Sequence, residues 1–109
     1  MTVLVGRKAP EFTAPAVLAS GEIVDALSFE KARDGKYAAV VFYPLDFTFV
    51  CPTEIAGMDV LAEHANVVGI SGDNEFCKLA WKKENAMIGG INHTLAADCG
   101  LALSRELGI

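Results

Sequence analysis

The chain has 109 residues, 52% of them hydrophobic and 21% charged, with 14 acidic against 9 basic side chains and a formal net charge of -5. This length allows one domain at most, and an apolar half of the residues excludes a disordered chain. The acidic balance, with a sequence pI near 4.9, excludes nucleic acid and an anionic membrane surface as main partners, since both need a basic face that the Lys82-Lys83 pair alone does not supply.

In chain order, the N-terminus is apolar for only a few residues before Arg7 and Lys8, too few for a signal peptide. No stretch approaches the roughly 18 apolar residues of a membrane span, because Asp46 and Glu54 flank the most apolar segment. Residues 16–18 and 22–24 on either side of Ala19-Ser20-Gly21 predict a hairpin. Residues 28–33 predict a helical turn ended by Asp34-Gly35, and the apolar, partly β-branched run 37–43 predicts a strand buried on both faces and stopped by Pro44. From about residue 52 to 65, Ile55, Met58, Ala62 and Ala65 fall at helical spacing with Glu54, Asp59 and Glu63 between them. That is an amphipathic helix, although Gly57 inside it costs up to about 1 kcal/mol relative to Ala. Residues 67–71 predict a second buried strand, Asp73 or Asn74 the cap of a helix to about Glu84, and 85–92 a glycine-containing loop. A short strand at 94–96 and an Asp98-capped helix over 101–107, closed by Gly108, complete the pattern. Alternating strand and helix implies an α/β chain with a parallel sheet and right-handed crossovers.

Three cysteines, Cys51, Cys77 and Cys99, form no CxxC pair and no disulfide framework, so a reducing cytosol is the expected compartment. Proline is favoured at the first helical position, so Pro52 places Cys51 at a helix N-cap or first turn. There the free N–H groups and positive end of the helix favour a thiolate, the nucleophilic form of cysteine. Thr48, three residues earlier, carries a hydroxyl able to hold the sulfur and a substrate oxygen together, while Pro44, Phe47 and Phe49 keep water away. A lone cysteine at a strand end also reads as a small buried hydrophobe.

The segment Phe42-Tyr-Pro-Leu-Asp-Phe-Thr-Phe-Val-Cys-Pro-Thr-Glu-Ile55 decides between the two. It resembles the active-site segment of peroxiredoxins, in the alkyl hydroperoxide reductase and thiol-specific antioxidant group. The P-x-x-x-T-x-x-C core is Pro44, Thr48 and Cys51, and the likeness runs from residues 5–12 through 71–81 to the chain end. The resemblance implies a thioredoxin-like α/β fold and a thiol peroxidase whose Cys51 attacks hydrogen peroxide or an organic hydroperoxide and becomes a sulfenic acid. It further implies that Thr48 orders the peroxide, Pro44 shields the sulfenate and Glu54 positions an arginine. No metal or organic cofactor is implied. The implied partners are a thiol reductant, either a thioredoxin-like protein or a flavoprotein disulfide reductase, and other copies of the chain in a homodimer or larger homo-oligomer.

The family's arginine falls on a strand later than this sequence reaches, and Arg7, Arg33 and Arg105 do not match it. The usual resolving cysteine and the last strands and final helix are likewise beyond Ile109. The expectation is thus residues 1–109 as the N-terminal portion of a single peroxiredoxin domain, its fold incomplete at the C-terminus. A catalytically impaired interaction module and a one-step redox sensor are the alternatives. Cys77, which shares a helix side with Trp81, and Cys99 are expected to be structural, with either able to serve as an improvised resolving thiol if close enough. His64 and His93 are expected to be solvated, and no pair among them and the cysteines has metal-ligand spacing. Gly89-Gly90 follows no strand and is not a phosphate loop.

Overall fold

The computed structural model describes residues 5–47 and 51–109. Five strands form one sheet in the order β2-β1-β5-β4-β3: β1 Thr13–Val17, β2 Ile23–Ser28, β3 Ala38–Phe42, β4 Asn66–Ser71 and β5 Thr94–Ala97. β3, β4 and β5 run parallel, as the alternation of strand and helix implies, and the expected hairpin of β1 and β2 joins them antiparallel, so the sheet is mixed. The reason lies in the first hairpin. Its turn closes through Leu18 and Glu22 with Gly21 at φ 91°, and β1 then docks antiparallel on β5 through Ala16–Ala96 and Val17–Leu95.

β4 lies between β3 and β5 and is buried from Val67 to Ser71, as its run of apolar residues predicts. β3 carries an equally apolar run but is only half-buried along its whole length. Among the described residues it pairs with β4 alone, so the expectation of burial on both faces is corrected: composition tells a core strand from a polar one but not a centre from an edge.

Side chains alternate across the sheet and build two cores. Val68 and Ile70 join Ala16, Ala96 and Leu103 on one face, where α1 (Phe29–Arg33) contributes Ala32 and α6 (Ala102–Leu107) contributes Leu107. Tyr43, Leu95, Cys51, Ile55, Trp81, Ile88 and Ile91 fill the other. A Cβ on Gly69 of β4 would lie 3.0 Å from Leu95 Cδ2 and 3.5 Å from a Tyr43 ring carbon, so the glycine is what lets these two side chains close over the strand.

The helix expected over 52–65 is broken into α2, Cys51–Gly57, and α3, Asp59–Ala62. Met58 at the joint shares its N–H between the carbonyls of Glu54 and Ile55. Gly57 has open space where a Cβ would stand and an ordinary negative φ. Gly57→Ala is therefore expected to stabilise the chain by about 0.5–1 kcal/mol in urea unfolding, mainly by restricting the unfolded state.

α4 spans Glu75–Glu84, with Asn74 as its cap: the Asn74 side chain accepts from the Cys77 N–H at 2.8 Å. The expected loop over 85–92 instead holds a fifth helix, α5, Ala86–Gly89, in which the Asn85 side-chain Oδ1 accepts from the N–H groups of Met87 and Ile88. Four residues are too few to show a helical period, and the anchor is Ile88, which is fully buried. None of the helices among the described residues is long and apolar enough to cross a membrane.

Asp98 caps the last helix as expected, but across a 3₁₀ turn at Cys99–Leu101. Its carboxylate accepts from the Leu103 N–H at 3.1 Å, the Ser104 N–H at 2.9 Å and the Ser104 hydroxyl at 2.7 Å. Burial raises the Asp98 pKa, but these bonds and nearby Arg105 outweigh it and hold the group below its ordinary value. Asp98→Ala is expected to cost about 1–2 kcal/mol at neutral pH. Because the folded pKa is depressed, the unfolded chain binds more protons, and the stabilisation present above about pH 4 is lost as pH falls through the folded value. Urea unfolding at pH 7 and pH 3 should accordingly show the gap between wild type and Asp98→Ala narrowing in acid.

Candidate functional site

The site forms where β3 ends. Tyr43 extends the β3–β4 pairing by one bond, its N–H donating to the Ile70 carbonyl at 2.9 Å, and the chain then leaves the sheet toward α2. Asp46 in this connection is buried, and so is Lys78 of α4, with no exposure at all. The Lys78 ammonium donates to Ser71 Oγ at 2.6 Å, to Tyr43 Oη at 3.0 Å and to the Asp46 carboxylate at 3.2 and 3.3 Å. Tyr43 and Ser71 in turn donate their hydroxyl protons to Asp46 Oδ1, at 2.6 and 3.1 Å.

Burial pushes the Lys78 pKa down, opposed by Asp46 and then Asp73, and the net is below its ordinary value. Burial likewise pushes the Tyr43 phenol well up, helped by its bond to Asp46, so the hydroxyl stays a donor. The neighbouring Cys77 thiol is raised first by burial and then by the charges of Asp46 and Asp73. A thiol held protonated is a poor nucleophile.

Cys51 opens α2 with Pro52 directly after it, as its sequence context predicts. The sulfur-bearing residue is 8% exposed and packs in the core of Tyr43, Ile55, Trp81, Ile88, Ile91 and Leu95. Two aromatic contacts roof this core: Trp81 lies 6.0 Å from the Tyr43 ring and 6.1 Å from that of Phe47. Phe47 itself is half-exposed and has φ 58°.

Of the other residues singled out from the sequence, Thr48 and Phe49 lie outside the described residues. Pro44 is exposed and lines a cavity of about 380 Å³ with Phe42, Ile70, Leu101 and Ile109, a lining that does not include Cys51. Glu54 stands exposed on α2, three residues on from Cys51. Arg33 is engaged by Glu30 on α1 at 2.9 Å, and Arg105 sits on α6. All three cysteines are free thiols, with Cys77 half-buried and Cys99 exposed.

His93 is not solvated as expected: it is 5% exposed, and its Nδ1 lies 2.7 Å from the Asp59 carboxylate, which also accepts the Asn92 N–H at 2.9 Å. The residue sits one position before β5, so the sheet carries its ring inward. His64 is exposed, as expected. Among the described residues, no three His, Cys, Asp or Glu side chains are placed to share a metal ion. The residue that sequence reasoning missed is Lys78. A lysine three residues before Trp81, on the helix side that faces the core, and an aspartate at the edge of the most apolar stretch of the chain were the available signals.

Comparison with known proteins gives one consistent picture. The model of the AhpC/TSA family matches residues 5–109. A peroxiredoxin of Oncorhynchus mykiss is 41% identical over 113 residues, covering 96% of this chain and 56% of that protein. Among solved structures, the reduced 2-Cys peroxiredoxin of Plasmodium vivax superposes with a TM-score of 0.86 at 35% identity, covering 96% of this chain and 69% of that one. Enterococcus faecalis AhpC superposes at 0.85 with 33% identity, covering 94% and 63%. The chain spans 56–63% of the length of the first curated relatives it matches.

Proposed function

The chain belongs to the AhpC/TSA family, with the thioredoxin-like α/β fold of its peroxiredoxin neighbours, and on that premise we propose that it is a cysteine-based peroxidase acting on hydrogen peroxide or organic hydroperoxides through Cys51. The observation that supports this most is the seat of Cys51: a free thiol at the first residue of a helix, followed by proline and packed under aromatic side chains. A dry surround strengthens every interaction that stabilises developing charge.

In the reaction the Cys51 sulfur attacks one oxygen of the peroxide, the S–O bond forms as the O–O bond breaks, and the leaving oxygen takes a proton to depart as water or alcohol. Sulfur is oxidised by two electrons and the peroxide reduced by two, so no metal or organic cofactor enters. Thr48 is the proposed ligand for the peroxide, Pro44 the shield of the sulfenic acid, and Glu54 the residue that orients a cationic partner of the peroxide oxygen. A thiol reductant, thioredoxin-like or a flavoprotein disulfide reductase, returns Cys51 to the thiol. Residues 1–109 are read as the N-terminal part of a single domain that works in a homodimer or larger homo-oligomer, in a reducing, cytoplasmic setting that suits three free thiols.

One equivalent of cumene hydroperoxide added to the reduced chain tests this reading. The expected products are one equivalent of the alcohol and a trapped sulfenic acid on Cys51. Alcohol formed without modification of Cys51, or label shared equally with Cys77 and Cys99, rejects it and leaves an interaction module in its place.

A further inference from the structure

The buried lysine asks for a reason of its own. Lys78 has three ammonium protons, and each finds an acceptor: Tyr43, Ser71 and Asp46. The two hydroxyls, once they accept from Lys78, have a single direction left for their own protons, and both point at Asp46 Oδ1. Among the described residues no buried polar side-chain atom lacks a partner, so the network is closed.

Stability alone does not explain such a closed network, because a buried ion pair gains little over apolar side chains of the same volume. What it supplies is direction. Asp46 is five residues before Cys51, and it is held twice, by its carboxylate in the network and by its backbone N–H, which donates to Asp73 Oδ2 at 2.8 Å. The next residue, Phe47, turns in the left-handed region at φ 58°, which bulky side chains rarely adopt. It persists only where surrounding contacts over-determine it: the anchored Asp46 on one side and the Trp81 ring 6.1 Å away on the other. Lys78 and Trp81 sit one turn apart on α4, so a single helix holds both ends of this corner.

We propose that Lys78 is a positioning residue for Cys51: its ammonium latches Asp46 to β4 and α4, holds the Phe47 corner, and so keeps the sulfur seated in the core at the head of α2. The proposal rests on Cys51 being the reacting thiol, and its consequence is measurable without peroxide. Releasing the latch lets the connection open locally and exposes a thiol that is 8% accessible.

The test is site-resolved alkylation with iodoacetamide at pH 7, followed by mass spectrometry, with Cys99 as the internal reference. Lys78→Gln is expected to speed alkylation of Cys51 at least about tenfold while Cys99 is unchanged. The double variant Asp46→Asn/Lys78→Gln, which restores a neutral hydrogen-bonded pair, should return the rate to within about threefold of wild type. A Cys51 rate in Lys78→Gln within about twofold of wild type, or a double variant no slower than the single one, overturns the latch. If Lys78→Gln does not fold, Tyr43→Phe removes one bond from each charge and leaves them paired. There an acceleration of about threefold is expected, and no change overturns the proposal. Hydrogen peroxide offered to the wild type in parallel separates the two readings: an inert Cys51 sinks the peroxidase while alkylation still decides the latch.

Discussion

Replacement of Cys51 by serine is expected to lower peroxide consumption by roughly three orders of magnitude or more, the scale of removing an enzyme's nucleophile. Serine is close in size to cysteine, so the core around residue 51 keeps its packing and the fold should be retained by circular dichroism. The chemistry does not survive, because an unassisted hydroxyl is a weak nucleophile at neutral pH. The remaining thiols do not substitute. Cys77 is held protonated by burial and by the carboxylates of Asp46 and Asp73, and Cys99 is an exposed thiol outside the core that holds Cys51. A peroxide-consumption assay on Cys51→Ser, Cys77→Ser and Cys99→Ser checks the claim, with only the first expected to lose activity.

The second large effect concerns stability. Lys78→Met leaves the Asp46 carboxyl buried without its counter-charge, which is expected to cost about 3–5 kcal/mol. For a chain whose total stability is on the order of 5–15 kcal/mol, that is a large share. Removing both charges is a different experiment. Lys78→Met/Asp46→Leu takes away the desolvated carboxylate together with the ammonium, and the loss is expected to shrink to about 2 kcal/mol or less, with the Tyr43 and Ser71 hydroxyls bonding to each other or to water. Urea unfolding of the three proteins measures the difference. A double variant as unstable as the single one would mean that the side chains matter through shape and not through charge.

Much of this was legible in the sequence, and the rest fails for identifiable reasons. The buried strand β4, α4 and the caps at Asn74 and Asp98 follow from apolar runs bounded by short polar side chains, signals that act within a few residues. The position of Cys51 followed from one local rule, proline at the first helical turn. What escaped depends on contacts distant in sequence. The antiparallel docking of β1 on β5 joins residues about eighty positions apart, and no pattern within either strand encodes it. The Lys78–Asp46 pair spans 32 positions, so each residue alone reads as a surface charge. His93 reads from the sequence as solvated because Asp59, the carboxylate that binds its ring, is 34 residues away. The α2–α3 break falls at Met58, whose N–H is shared between two carbonyls, and the helical spacing of Ile55, Met58, Ala62 and Ala65 runs through it unbroken.

The central claim is that Cys51 is a peroxide-reactive thiol set apart from its two neighbours by its seat at the head of α2. The most direct measurement is the rate of sulfenic acid formation at each cysteine of the reduced chain under a small excess of hydrogen peroxide, resolved in time by trapping and mass spectrometry. Cys51 is expected to react at least about a hundredfold faster than Cys77 or Cys99, as activated and ordinary thiols differ. Equal rates at all three cysteines would contradict it.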